Sequence, residues 1–80
     1  MARVFFPKSL LPYTNGFDQA EVEARTVQEL FRLLEERFPG LGEHRASLAV
    51  AIDGEIINDP LLEEVEPDSE VYFLPPISGG

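Results

Sequence analysis

At 80 residues the chain has room for one domain, which buries only roughly 60% of its unfolded surface; 44% hydrophobic and 26% charged residues mark it as globular rather than disordered. The formal charge of -9, from six basic and fifteen acidic residues, argues against nucleic-acid binding, which needs cations to neutralise phosphates, and no apolar run nears the ~20 residues that span a bilayer. The absence of cysteine excludes disulfides, thiolate metal sites and a cysteine nucleophile, and a single histidine, His44, leaves zinc almost no nitrogen ligands.

In chain order, residues 2–6 ("ARVFF") read as a first strand, with Val4 and Phe6 on one face and Phe5 on the other. Residues 7–17 ("PKSLLPYTNGF") hold two prolines and the Asn15-Gly16 pair, the composition of a long turn-rich connection. Residues 19–24 ("QAEVEA") alternate as a short strand with Val22 inward. Thr26 then opens a helix as the N-cap of a capping box, with Glu29 reaching back to the Thr26 amide. Val27, Leu30, Phe31, Leu34 and Phe38 follow at helical spacing and form one apolar stripe, while Gln28, Glu29, Arg32, Glu35 and Glu36 face water. Pro39-Gly40 ends the helix, and residues 40–45 read as loop.

Residues 47–52 ("SLAVAI") alternate again, with Leu48, Val50 and Ile52 on one face. Asp53-Gly54 signals a tight hairpin that returns through a short strand at 55–58. Residues 59–65 read as a helical turn started by Pro60, 66–69 as a turn, and 70–75 ("EVYFLP") as the last strand, with Val71 and Phe73 inward and Tyr72 and Leu74 opposite. One apolar helix stripe covers one face of one mixed sheet, which gives a two-layer α+β domain. A helix between the second and third strands acts as a crossover and leaves the two terminal strands to pair centrally. The expected fold is therefore a β-grasp, or ubiquitin-like, domain over residues 1–76, followed by a flexible Gly-Gly tail at 77–80.

No catalytic constellation accompanies this fold. The serines lack a nucleophile context, and His44, between Glu43 and Arg45, reads as a solvated loop residue. The Gly40-Leu41-Gly42 stretch follows a helix and is no phosphate cradle. No metal and no cofactor bound by the chain itself is expected. Residues 46–80 carry eight acids and no Lys or Arg, a face suited to solubility or to docking on a basic partner. The opening residues show no secretory h-region, so a cytoplasmic location is the expectation.

The remaining candidate is the ending "EVYFLPPISGG". Pro75 and Pro76 lack amide donors, so they end strand pairing and launch an extended segment. Ile77 to Gly80 reach roughly 13 Å when extended. Two glycines thread channels too narrow for a side chain, and they would present the Gly80 carboxylate. A carboxylate is a poor electrophile until adenylation by a partner with ATP activates its carbonyl toward sulfur or an amine. The competing reading is a frayed terminus without function.

"DSEVYFLPPISGG" (68–80) closely resembles the end of the small subunit of molybdopterin synthase, a MoaD/ThiS-like sulfur carrier. The opening "VFF", the helix "TVQELFRLLEERFP" and the hairpin "VAIDGEII" fall where that family has them. The resemblance implies a carrier, not an enzyme alone. An E1-like adenylating enzyme would use ATP to activate Gly80, and a sulfurtransferase or other sulfur source would make the thiocarboxylate. The tail would insert into the molybdopterin synthase large subunit and deliver sulfur to the pterin precursor. Gly80 is then the reacting group, and Gly79, Ser78, Ile77 and Pro76 are the delivery arm. Phe5, Ile56, Tyr72 and Leu74, on the exposed sheet face, are the candidate docking residues, the alternative being plain sheet-face packing under the 7–17 segment.

The run "LLPYTNG" (10–16) and "LEERFPGL" (34–41) look more like CysO-type carriers of cysteine biosynthesis, whose thiocarboxylate goes to an aminoacrylate on a pyridoxal-phosphate (PLP)-dependent cysteine synthase. The same activated carbonyl would also serve a ubiquitin-like modifier joined to lysines, and a binding module with an inert tail is the third reading.

Overall fold

The structure is a computed structural model and describes residues 1–57 and 62–74, the side chains of 44–47 excepted. Five strands form one mixed sheet: β1 (Ala2–Phe5), β2 (Gln19–Val22), β3 (Ala49–Ile52), β4 (Glu55–Ile57) and β5 (Glu70–Leu74). Their spatial order is β2-β1-β5-β3-β4. The terminal strands β1 and β5 run parallel at the centre, with Val4 opposite Val71. Every other pairing is antiparallel. Helix α1 (Val27–Arg37) packs on one face, which completes the β-grasp arrangement.

The apolar stripe of α1 explains that packing. Val27, Leu30, Phe31, Leu34 and Phe38 are buried against Val4, Val50, Val71 and Phe73 from the sheet. Phe31 and Phe73 stack with ring centroids 4.8 Å apart and an interplanar angle of 8°. Phe6 approaches Phe38 edge-on at 6.0 Å and Phe73 at 5.8 Å. Each such aromatic pair contributes about 0.5–1.5 kcal/mol beyond its buried area.

The start of α1 differs from expectation in one bond. Thr26 Oγ1 accepts from the Glu29 amide at 3.1 Å, as an N-cap should, but the Glu29 carboxylate accepts from Arg25 N–H at 2.8 Å rather than from Thr26. Tertiary pairing sets this. Residues 25–27 lie alongside 63–65, with Val65 N–H donating to Arg25 O and Val27 N–H to Glu63 O. The latter bond also satisfies one of the orphan amides of the first helical turn. Leu62, within the expected helical turn, is 3-10 helical, but residues 63–65 are extended, and Val65 is buried. Residues 58–61, which would hold the end of β4 and the start of that turn, lie outside the described residues.

Two segments expected as turn or loop are 3-10 helices, Lys8–Tyr13 and Pro39–Ser47. The first tolerates Pro12 because its bonds use other amides, Leu10 N–H to Pro7 O and Thr14 N–H to Leu11 O. It buries Leu10 and Thr14, whose hydroxyl donates to Phe17 O at 2.7 Å. The second buries Leu41 completely. Asn15, Gly16, Asp53 and Gly54 all have positive φ, so both Asx-Gly pairs make the tight reversals their sequence signalled.

Candidate functional site

Strand alternation leaves Val4, Val71 and Phe73 facing α1 and turns Phe5, Tyr72 and Leu74 to the other side of the sheet. Cross-strand register then lines up one row across all five strands: Gln19 opposite Phe5, Phe5 opposite Tyr72, Tyr72 opposite Ala51, and Ala51 opposite Ile56. Phe5 and Tyr72 stack at 4.5 Å with an interplanar angle of 12°. Tyr72 is 38% exposed and Ile56 63% exposed, while Phe5 and Leu74 are half-buried. Leu74 sits opposite Ala49, one step nearer the end of β5.

A depression of about 370 Å³ lies at the ends of β1 and β5, between the Phe5–Tyr72 pair, Pro7, Asp18, Gln19 and Leu74. It adjoins the point where the chain leaves β5. The opposite end of the same face is polar: Glu70 N–H donates to Asp53 Oδ1 at 2.9 Å, and Asp53 N–H donates to Glu70 O at 2.9 Å, which ties the hairpin tip to the start of β5. The outer face thus grades from apolar near Leu74 to acidic near Asp53.

The structure brings four of the sequence-derived site residues, Phe5, Ile56, Tyr72 and Leu74, onto one face. The segment 7–17 packs instead toward the end of α1, with Phe17 6.4 Å from Phe38, so Tyr72 and Ile56 remain exposed. Pro76, Ile77, Ser78, Gly79 and Gly80 lie outside the described residues, as does Pro75. Sequence reading passed over Ala51, the small residue that carries the row between Tyr72 and Ile56, and Ala49, which sits opposite Leu74. Their outward parity on β3 was a usable signal, but alanine announces no face. The side chain of His44 also lies outside the description. Among the described residues, no three His, Asp or Glu side chains are placed to hold a metal ion, and no helix is long and apolar enough to cross a membrane.

A β-grasp domain with an apolar row on its open sheet face, next to the exit of its last strand, has the build of a small ubiquitin-like carrier. The comparisons make the assignment specific. The ThiS family model matches residues 6–80. The molybdopterin synthase sulfur carrier subunit of Caenorhabditis briggsae is 34% identical over 78 residues, 96% of this chain and 93% of that protein. The corresponding subunit of Pyrenophora tritici-repentis is 37% identical over 65 residues, 76% of this chain and 67% of that protein. Among solved structures, a chain of the Amycolatopsis orientalis BexX/CysO complex superposes with a TM-score of 0.88 at 24% identity, covering 100% of both chains. The chain belongs to the ThiS family.

Proposed function

We propose that this chain is a sulfur carrier that works in complex with partner proteins and delivers sulfur for molybdopterin biosynthesis. The observation that carries this reading is the 34% identity, over nearly the whole chain, to a molybdopterin synthase sulfur carrier subunit. The chain's own sequence fits: it has no cysteine, its one histidine lies between Glu43 and Arg45, and the reacting group on this reading is the Gly80 carboxylate.

The sequence of steps follows from that carboxylate. An E1-like adenylating enzyme joins Gly80 to AMP from ATP and releases pyrophosphate. Sulfide-level sulfur displaces AMP and leaves a thiocarboxylate directly; a sulfurtransferase persulfide displaces AMP to give an acyl disulfide, whose S–S bond a second thiol then reduces to the thiocarboxylate. In a molybdopterin synthase large subunit, the thiocarboxylate gives its sulfur to the pterin precursor and returns as a carboxylate after hydrolysis. ATP is a substrate of the activating partner, and this chain holds no cofactor. Gly79, Ser78, Ile77 and Pro76 thread the partner's channel, while Phe5, Ile56, Tyr72 and Leu74 dock the sheet face against it. An apolar row of this kind supplies the desolvated centre of an interface, and the acidic end near Asp53 supplies a charged rim.

The test is intact-mass analysis after incubation with the adenylating enzyme from the same source, ATP and a sulfur donor. A mass gain of one sulfur-for-oxygen exchange, followed by its loss on addition of the large subunit and pterin precursor, is the expected result. Discharge only in the presence of a PLP-dependent cysteine synthase would move the destination to cysteine. Lysine-linked adducts without thiocarboxylate would replace the carrier reading with a protein modifier.

A further inference from the structure

A second surface adjoins the sheet face at the β2 edge and is independent of the tail chemistry. Strand order leaves β2 at one edge of the sheet. Phe6 N–H donates to Asp18 O, so antiparallel alternation turns the amides and carbonyls of Ala20 and Val22 toward β1 and those of Gln19, Glu21 and Glu23 outward. Beside this open edge runs a groove of about 550 Å³ between β2 and α1. Val22 and the half-buried Leu33 supply its apolar part, and Glu21, Glu23 and Glu36 its acids. It continues past Met1 and Glu23 into a second depression that adds Glu29, Glu64 and Glu66. Together the two hold six carboxylates against the guanidiniums of Arg25 and Arg37 and the Met1 amino group, and Arg32 pairs with two of the six, Glu29 at 3.9 Å and Glu36 at 3.3 Å.

We propose that this groove docks an extended basic segment of a partner protein, which adds as a sixth strand on β2. Main-chain bonds at Gln19, Glu21 and Glu23 would hold the segment, since a free strand edge pairs with any extended chain of matching register. Alternation would place its apolar side chains over Val22 and Leu33 and its lysines or arginines beside the carboxylates. The charge selects the occupant. A second copy of this chain, paired edge to edge, would set Glu21 and Glu23 against their own counterparts, and like charges directly opposite destabilise a ladder. The same acids that disfavour edge-to-edge pairing of two β2 strands are complementary to a basic strand.

The probe is a short acetylated peptide of alternating valine and lysine, titrated into the full-length 15N-labelled chain. Amide shifts at residues 19–23 and 33–37, with slowed hydrogen exchange at the Glu21 and Glu23 amides, are expected. N-methylation of alternate peptide amides, made in both registers, should weaken binding roughly tenfold or more in one of them, because several edge bonds are lost. The doubly substituted Glu21→Lys/Glu23→Lys chain, altered only at exposed positions, should bind at least tenfold more weakly while keeping its folded spectrum. Shifts confined to Tyr72 and Ile56 or to residues 63–70 would overturn the proposal. So would equal binding of both N-methylated peptides, which would reduce the contact to charge attraction alone, or the absence of any binding.

Discussion

Phe5 and Tyr72 face each other in register across the parallel β1–β5 pair, their rings 4.5 Å apart on the side of the sheet away from α1. A stacked aromatic pair placed outside the core supplies a rigid apolar platform. Tyr72→Ala should therefore cost about 1 kcal/mol of stability, the worth of one aromatic contact. It should lower the rate of sulfur discharge to the large subunit far more. Urea unfolding and single-turnover discharge, run on the same preparation, separate the two effects.

Ile56 offers a cleaner test of the same surface, because it is 63% exposed on a short edge strand. Ile56→Glu should change folding stability by under about 1 kcal/mol. Placing a charge at the end of the apolar row should weaken complex formation with the large subunit, read by titration calorimetry. Unchanged affinity would remove β4 from the docking surface.

On the opposite face, Phe73 contacts both Phe31 and Phe6 and is nearly inaccessible. Phe73→Ala should destabilise by roughly 3–5 kcal/mol, the sum of lost transfer energy and the cavity left behind. For a domain of this size that is a large share of a total on the order of 5–15 kcal/mol. A partly unfolded population at room temperature, seen as collapsed amide dispersion, is the expected outcome.

The helix cap gives a smaller and separable effect. Thr26→Ala removes the acceptor for the Glu29 amide and should cost about 1 kcal/mol. Glu29→Gln keeps a side-chain acceptor for Arg25 N–H and should cost less. Thermal unfolding of both variants gives the order, and a larger loss from Glu29→Gln would contradict the capping geometry.

Gly54 has a φ of +87° at the β3–β4 reversal, and nothing lies within 4 Å of a Cβ built there. Gly54→Ala should thus destabilise through backbone strain alone, by roughly 1–2 kcal/mol. Gly54→Asn should recover part of the loss, since asparagine tolerates the left-handed region. Chemical denaturation of the two variants measures the difference.

Much of this molecule was legible along the chain because the relevant signals are local. The stripe from Val27 to Phe38 has helical spacing, Thr26 and Glu29 mark its start, and Asp53-Gly54 marks a reversal; each uses neighbours within a few residues. Strand alternation likewise separated Val71 and Phe73 from Tyr72 and Leu74, and so picked out the exposed face before any fold was known. The prolines and glycines after Leu74 pointed to the carrier chemistry by composition and resemblance.

Register and long-range pairing belong to the tertiary structure. That Phe5 meets Tyr72, and that Ala51 links Tyr72 to Ile56, depends on how strands far apart in sequence align, which no single strand encodes. Residues 63–65 abandon a helical turn because residues 25–27 offer them bonds and the core accepts Val65. The segments 8–13 and 39–47 wind into 3-10 helices while Leu10 and Leu41 become buried. The position of β2 at an edge of the sheet exists only once the sheet order is set. Local sequence fixes which side chains share a face; backbone hydrogen bonds and burial, satisfied across the whole domain, decide which faces meet.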